Sequence, residues 1–103
     1  MKIRIYISGK VTGEAYLGCY KKFSDMEEKL KQCKYLVINP MRLCKPSWSW
    51  QRCMIKCVFY LIFKADVLLL LSDWENSRGA RLEKRIAAWF KKTILEENEF
   101  FNG

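Results

Sequence analysis

Histidine is absent from this chain of 103 residues. That removes the commonest general base at neutral pH and the commonest metal ligand. Any acid–base chemistry must then rest on carboxylates, thiols, phenols or amines. A Cys-x-x-Cys pair is also missing. Cys53 and Cys57 would share one helix face near Cys44, but without such a pair or a histidine no metal site is expected. The five cysteines, Cys19, Cys33, Cys44, Cys53 and Cys57, are odd in number. The N-terminus enters a strand pattern at once, with charges at Lys2 and Arg4 and no leader pattern. Free thiols in a reducing cytoplasm are the expectation. A membrane span is lacking too, because Lys56, Lys64 and Asp66 interrupt the apolar stretch from Cys53 to Leu71. Acidic charge is scarce, with 11 Asp and Glu against 19 Lys and Arg, a net +8. The excess favours anionic partners, but the basic residues are scattered without a long block. Nucleic acid is named as a partner by net charge alone.

What is present is a core. Half of the residues are hydrophobic and 15% are aromatic, which argues against disorder. The length suits one small domain, expected over 1–96 with 97–103 as a tail.

Apolar period sets the elements. Ile3, Ile5 and Ile7 alternate with Lys2, Arg4 and Tyr6, a strand ended by the turn Ser8-Gly9-Lys10. Thr12 to Gln32 reads as a helix capped by Thr12, with Cys19, Phe23, Met26, Leu30 and Cys33 inward. Tyr35 to Ile38 is a second strand, stopped by Asn39-Pro40. Met41 to Ser49 lacks a period, contains Pro46 and reads as a loop or a loose turn. Trp50 to Lys64 is a buried helix, Asp66 to Leu71 a third strand, and Ser77 or Arg78 to about Phe90 a third helix. Lys92 to Glu96 is a fourth strand. Strict alternation of strand and helix predicts an α/β fold with a parallel sheet between two helix layers. Right-handed crossovers give the order 2-1-3-4. The crevice at the switch point then lies between the ends of strands one and three. Two turns converge there, Ser8-Gly9-Lys10 and Ser72-Asp73-Trp74.

The second of these turns runs into Glu75-Asn76-Ser77-Arg78-Gly79-Ala80-Arg81-Leu82-Glu83, the most informative stretch of the chain. Ser77 is the expected N-cap, and Gly79 lets backbone N–H groups approach an anion. Glu83 falls one turn further in. A carboxylate beside an anion-binding turn is repulsive unless chemistry or a sugar hydroxyl calls for it. Arg78 and Arg81 oppose the helix dipole, a hint of an anionic ligand. Trp74 is placed to stack on a base, Lys10 to neutralise a phosphate, and Trp48 and Trp50 are a lid or an interface.

Ile5-Tyr6-Ile7-Ser8-Gly9-Lys10-Val11-Thr12-Gly13, Val37-Ile38-Asn39-Pro40, Ala65-Asp66 and Asp73 to Glu83 together resemble the DUF4406 family. Its members look like compact relatives of the nucleoside 2-deoxyribosyltransferase superfamily, with a Rossmann- or flavodoxin-like fold. The resemblance implies that Glu83 is the nucleophile on the sugar anomeric carbon and that Tyr6 orients it. Asp66 matches the acidic residue that opens the third strand. Ser77, Arg78, Gly79 and Ala80 would hold a phosphate or sugar, with Ser8, Gly9, Lys10, Asp73 and Trp74 around the ligand. Many active superfamily members carry another Asp about two turns before Asp66. Here Lys56-Cys57-Val58-Phe59 holds no carboxylate, so either another group such as Asp73 serves or base departure is poorly catalysed.

The expected function is a nucleoside- or nucleotide-binding protein acting as an N-glycosidase or deoxyribosyltransferase, without a cofactor. The alternative is a non-catalytic binder of a nucleotide or host protein, encoded by a phage or mobile element. The helix from Trp50 is apolar on nearly every side, so a homo-oligomer, most simply a dimer, is expected.

Overall fold

The computed structural model of the chain describes residues 2–11 and 13–102. Four strands, β1 (Arg4–Ser8), β2 (Leu36–Ile38), β3 (Val67–Leu70) and β4 (Thr93–Glu96), form one sheet in the order β2-β1-β3-β4. Every pairing is parallel, with Ile5 beside Val67 and Ser8 beside Leu70. The fold is α/β and consistent with a Rossmann- or flavodoxin-like architecture.

Alternation along the strands divides the core. Ile5, Ile7, Val67, Leu69 and Leu71 face α1 (Tyr16–Gln32), whose Cys19, Phe23, Met26 and Leu30 cover them. Tyr6, Leu68 and Leu70 face the other layer, α3 (Trp50–Phe63) and α4 (Arg78–Trp89), through Cys57, Leu61 and Ala87. The polar side of the β1 pattern is therefore not a solvent face. Tyr6 and Ser8 are as buried as Ile5 and Ile7, because a parallel sheet is covered on both sides.

Several expectations need correction. The first helix starts at Tyr16 rather than Thr12, and the expected cap Thr12 lies outside the described residues. The segment expected as a loop or loose turn after Asn39 opens with a one-turn helix, α2 (Pro40–Leu43), because Asn39 accepts from the Met41 N–H and Pro40 suits the first helical position. The expected tail forms α5 (Glu97–Asn102). Its Phe100 packs edge-on to Tyr35 and joins the core under α1, and Glu97 accepts from the Ser72 N–H. Finally, Cys44 and Cys53 are not free thiols but a disulfide, which clips the loop after α2 to the first turn of α3. Cys19, Cys33 and Cys57 remain free. Alkylation of denatured protein without reductant should label those three, and all five after reduction. Five labels without reductant would refute the bridge. Among the described residues, no helix is long and apolar enough to cross a membrane.

An ion cluster around the buried Glu27, with its cations half-exposed, holds α1 to α2. Glu27 accepts from Asn39 at 2.9 Å and Arg42 at 2.8 Å, and pairs with Lys31 at 2.7 Å. Burial alone would raise its pKa, but the donors from Lys31, Arg42 and Asn39 hold it at about 2. Its folded value is depressed, so this stabilisation is present above the ordinary 4.5 and is lost as pH falls through about 2. Glu27→Gln is expected to cost about 1–3 kcal/mol at neutral pH in urea melts. The gap to the parent should close progressively below pH 4.5. A gap independent of pH would contradict the charge-based account.

Candidate functional site

The site grows from the C-terminal ends of β1 and β3, where the chain leaves the sheet in two turns. Tyr6 and Ser8 lie two residues apart on β1 and so point to one face. Glu83 meets them from the second turn of α4. It is only 6% exposed, and its two oxygens are separately engaged. The Tyr6 hydroxyl donates to Oε2 and the Ser8 hydroxyl donates to Oε1 at 2.7 Å. Burial pushes the Glu83 carboxyl up to about 7, against the opposing pull of the Tyr6 and Ser8 donors. Tyr6 is raised well above its ordinary value by burial and by the charge of Glu83, so its hydroxyl stays protonated and remains a donor.

The two turns are locked to each other. Ser77 caps α4 by accepting from the Ala80 N–H at 3.1 Å, and its hydroxyl donates to the Gly9 carbonyl at 3.4 Å. A Cβ at Gly9 would sit 2.7 Å from Leu71 Cδ1 and 3.1 Å from Asp73 Oδ1, so only glycine permits this approach. Asp73 accepts from the Lys10 N–H at 3.0 Å and from Lys22 Nζ at 2.6 Å. Lys22 also donates to the Lys10 carbonyl at 2.8 Å. Although Asp73 is partly buried, which would raise its pKa, the Lys22 and Lys10 donors leave it below its ordinary value. Both of its oxygens are thus used in bracing the turns. Among the described residues, the N–H groups of Arg78 and Gly79 at the start of α4 have no partner within the chain.

Glu83 forms part of the wall of a cavity of about 380 Å³. Gly9, Ser77, Gly79 and Ala80 line its near side. The far side comes from the segment after β2 and from α3, with Met41, Trp48, Trp50 and Met54. No other carboxylate lines it among the described residues. Tyr6 and the Cys57 thiol line it as well. Burial pushes that thiol up to about 11, so it too stays protonated. Cys57 Sγ lies 3.7 Å from Cys44 Sγ and 3.8 Å from Cys53 Sγ.

The structure therefore brings together Tyr6, Ser8, Gly9, Ser77, Gly79, Ala80 and Glu83. The other residues singled out in the sequence lie elsewhere. Asp66 is exposed at the opposite, N-terminal end of β3, where it accepts from the Arg4 N–H. Lys10 and Asp73 belong to the turn brace. Trp74 and Arg78 line a neighbouring groove rather than the cavity. Sequence reasoning missed Cys57 and Met54 and left Trp48 and Trp50 undecided. The helical period of α3 marks Cys57 and Met54 only as apolar, and the aperiodic Met41–Ser49 stretch carried no signal that it folds over a cavity.

No curated protein matches the chain. A family model described as a domain of unknown function, DUF4406, matches residues 3–96, from β1 through β4. The match spans both turns and the whole of α4, so the chain belongs to the DUF4406 family.

Proposed function

We propose that the protein binds a nucleoside or nucleotide in the cavity and cleaves or transfers its N-glycosidic bond through Glu83, as resemblance to the nucleoside 2-deoxyribosyltransferase superfamily implies. The observation that supports this reading is the buried Glu83 carboxylate, held by Tyr6 and Ser8 at the wall of a cavity sized for a small ligand. In the proposed step a Glu83 oxygen attacks the anomeric carbon, and the C–N bond breaks with its electron pair leaving on the base. The base takes a proton from water. Water, or a second base, then attacks the glycosyl ester and frees Glu83. The Ser77–Ala80 turn, whose Arg78 and Gly79 N–H groups lack partners among the described residues, would take a phosphate or sugar oxygen. The test is base release from a panel of nucleosides and nucleotides, which should occur with the parent and not with Glu83→Ala.

One observation favours a second reading. Glu83 is the sole carboxylate lining the cavity among the described residues, so base departure lacks a dedicated acid. A non-catalytic binder of nucleotides would show thermal stabilisation by ligand with no base release. For the catalytic reading a cytoplasmic setting is proposed, where nucleotides are turned over. The Cys44–Cys53 bridge would there exchange with the cell's thiol pool.

A homodimer through α3 is part of the proposal. Ile55, Phe59 and Phe63 recur every four residues along α3 and are 73%, 51% and 67% exposed. The loop after α2 does not cover them. Its disulfide and Trp48 engage the side of the helix bearing Cys53, Arg52 and Lys56. A second copy burying this stripe would remove three large apolar side chains from water. Light scattering should report twice the chain mass of 12.3 kDa, and Phe59→Glu/Phe63→Glu should halve it. A parent that is monomeric at micromolar concentration would reject the dimer.

A further inference from the structure

A groove of about 730 Å³ runs beside the cavity, along the exposed side of α4. Trp50, Trp74, Arg78, Arg81, Lys84 and Arg85 line it. Trp50 lines the cavity as well, so the two spaces share a wall. The charge here is one-sided. Helix α4 carries four cations in its first two turns, and its only carboxylate is the buried Glu83. None of the four cations forms an ion pair among the described residues, since the ion pairs found are all at Lys21, Lys22, Lys31 and Arg42. Arg78 and Arg81 also sit in the first turn, at the positive end of the helix dipole, which disfavours them there. No carboxylate pairs with them among the described residues, and an anionic partner would offset that cost.

The spacing points to a chain of anions rather than to one. Arg78 to Arg85 covers roughly 10 Å along the helix axis, more than a single phosphate spans. The two indoles add stacking surface. Arg78 lies 4.0 Å over the Trp50 ring and Lys84 lies 4.3 Å over the Trp74 ring. The Trp74 ring is further held by its N–H donating to Glu96 at 3.2 Å. Cations alternating with aromatic planes suit single strands, whose bases are free to stack on indole or guanidinium planes.

We propose that this groove binds single-stranded nucleic acid and leads an unstacked nucleotide of that strand into the cavity. The delivery step rests on the glycosidic reading of Glu83, whereas strand binding does not. The nucleotide bound in the cavity is then part of a polymer, and the substrate class extends from the free nucleotide to a strand.

The test is fluorescence anisotropy of a short fluorescein-labelled oligodeoxythymidylate titrated with the full chain at several salt concentrations. The parent should bind with a steep salt dependence. Arg81→Gln/Arg85→Gln removes two exposed cations outside the cavity. It should weaken binding about tenfold or more and flatten the log–log salt slope by roughly 1.4, the loss of two phosphate contacts on a single strand. Lys2→Gln/Lys29→Gln removes the same charge away from the groove and should change affinity less than about twofold. Equal losses in both double variants would reduce the effect to net charge and overturn the groove. Unlabelled duplex of the same sequence should compete about tenfold less well than the single strand, and equal competition would overturn the preference for single strands. Base release from free nucleosides without strand binding would overturn the groove and leave the role of Glu83 intact. Strand binding without base release from any substrate would do the reverse.

Discussion

Glu83→Gln is expected to abolish base release and, at alkaline pH, to make the folded protein more stable than the parent. Both effects have one origin. Glu83 is buried, and burial raises its pKa from the ordinary 4.5 to about 7. A carboxyl whose folded value is raised favours folding while it is protonated. That contribution is fully present below about 4.5 and is lost as pH rises through about 7. Above that range the parent holds a desolvated charge at a cost on the order of 3 kcal/mol. Glutamine carries no charge, keeps the volume and still accepts one hydrogen bond. Urea melts should show the variant ahead at pH 8 and level with the parent near pH 5. A variant less stable than the parent at pH 8 would mean that the Tyr6 and Ser8 bonds to the carboxylate outweigh its burial. A group that costs stability where it is ionised is what a functional carboxylate looks like in energetic terms.

Tyr6→Phe is the second large effect. The Tyr6 hydroxyl donates to Glu83 and pulls the carboxyl pKa down against the larger effect of burial. Removing it leaves Ser8 as the remaining donor, so the Glu83 pKa rises further. The nucleophile is the ionised form, so base release by the parent should climb as pH rises through about 7. In Tyr6→Phe that climb should move to higher pH, and the rate at pH 7 should fall about tenfold or more. Part of the loss should return at pH 9. A uniform loss at every pH would make Tyr6 a packing residue only. An unchanged profile would remove it from the site. The ring itself stays buried in the variant, so stability should fall by only about 1–2 kcal/mol.

The sheet, its strand order and the two turns were legible because each rests on local chemistry. Ser77-x-x-Ala80 reads as a cap, whereas Tyr6, set with Lys2 and Arg4 on the polar face of the strand, was marked for the site only by the family resemblance. Features made by distant contacts were not legible. Cys44 and Cys53 look like unrelated thiols until α2 turns the loop back onto α3. Phe100 reads as part of a charged tail until Tyr35 and the α1 face give it a surface. The stops of α1 and α4 were legible to within a residue, although no glycine marks them. The structure ends α1 and α4 with Lys34 and Lys91 at φ of 72° and 57°, positions where glycine would have announced the stop. The start of α1 at Tyr16 was not legible, because its N-cap, Ala15, makes no side-chain bond. At the site, Asp66 and Asp73 show the same limit. Residue type and motif position proposed them for chemistry, but the backbone places Asp66 at the far end of β3 and commits Asp73 to the turn brace.

The most direct measurement of the central claim is base release and protein mass in one experiment. The parent and Glu83→Gln are incubated with a panel of nucleosides, nucleotides and short oligonucleotides, quenched in acid, and analysed by chromatography and intact-protein mass spectrometry. The account predicts free base with the parent, a glycosyl adduct on the peptide that contains Glu83, and neither product with Glu83→Gln. Free base that continues undiminished in Glu83→Gln, or an adduct on any other residue, would contradict it.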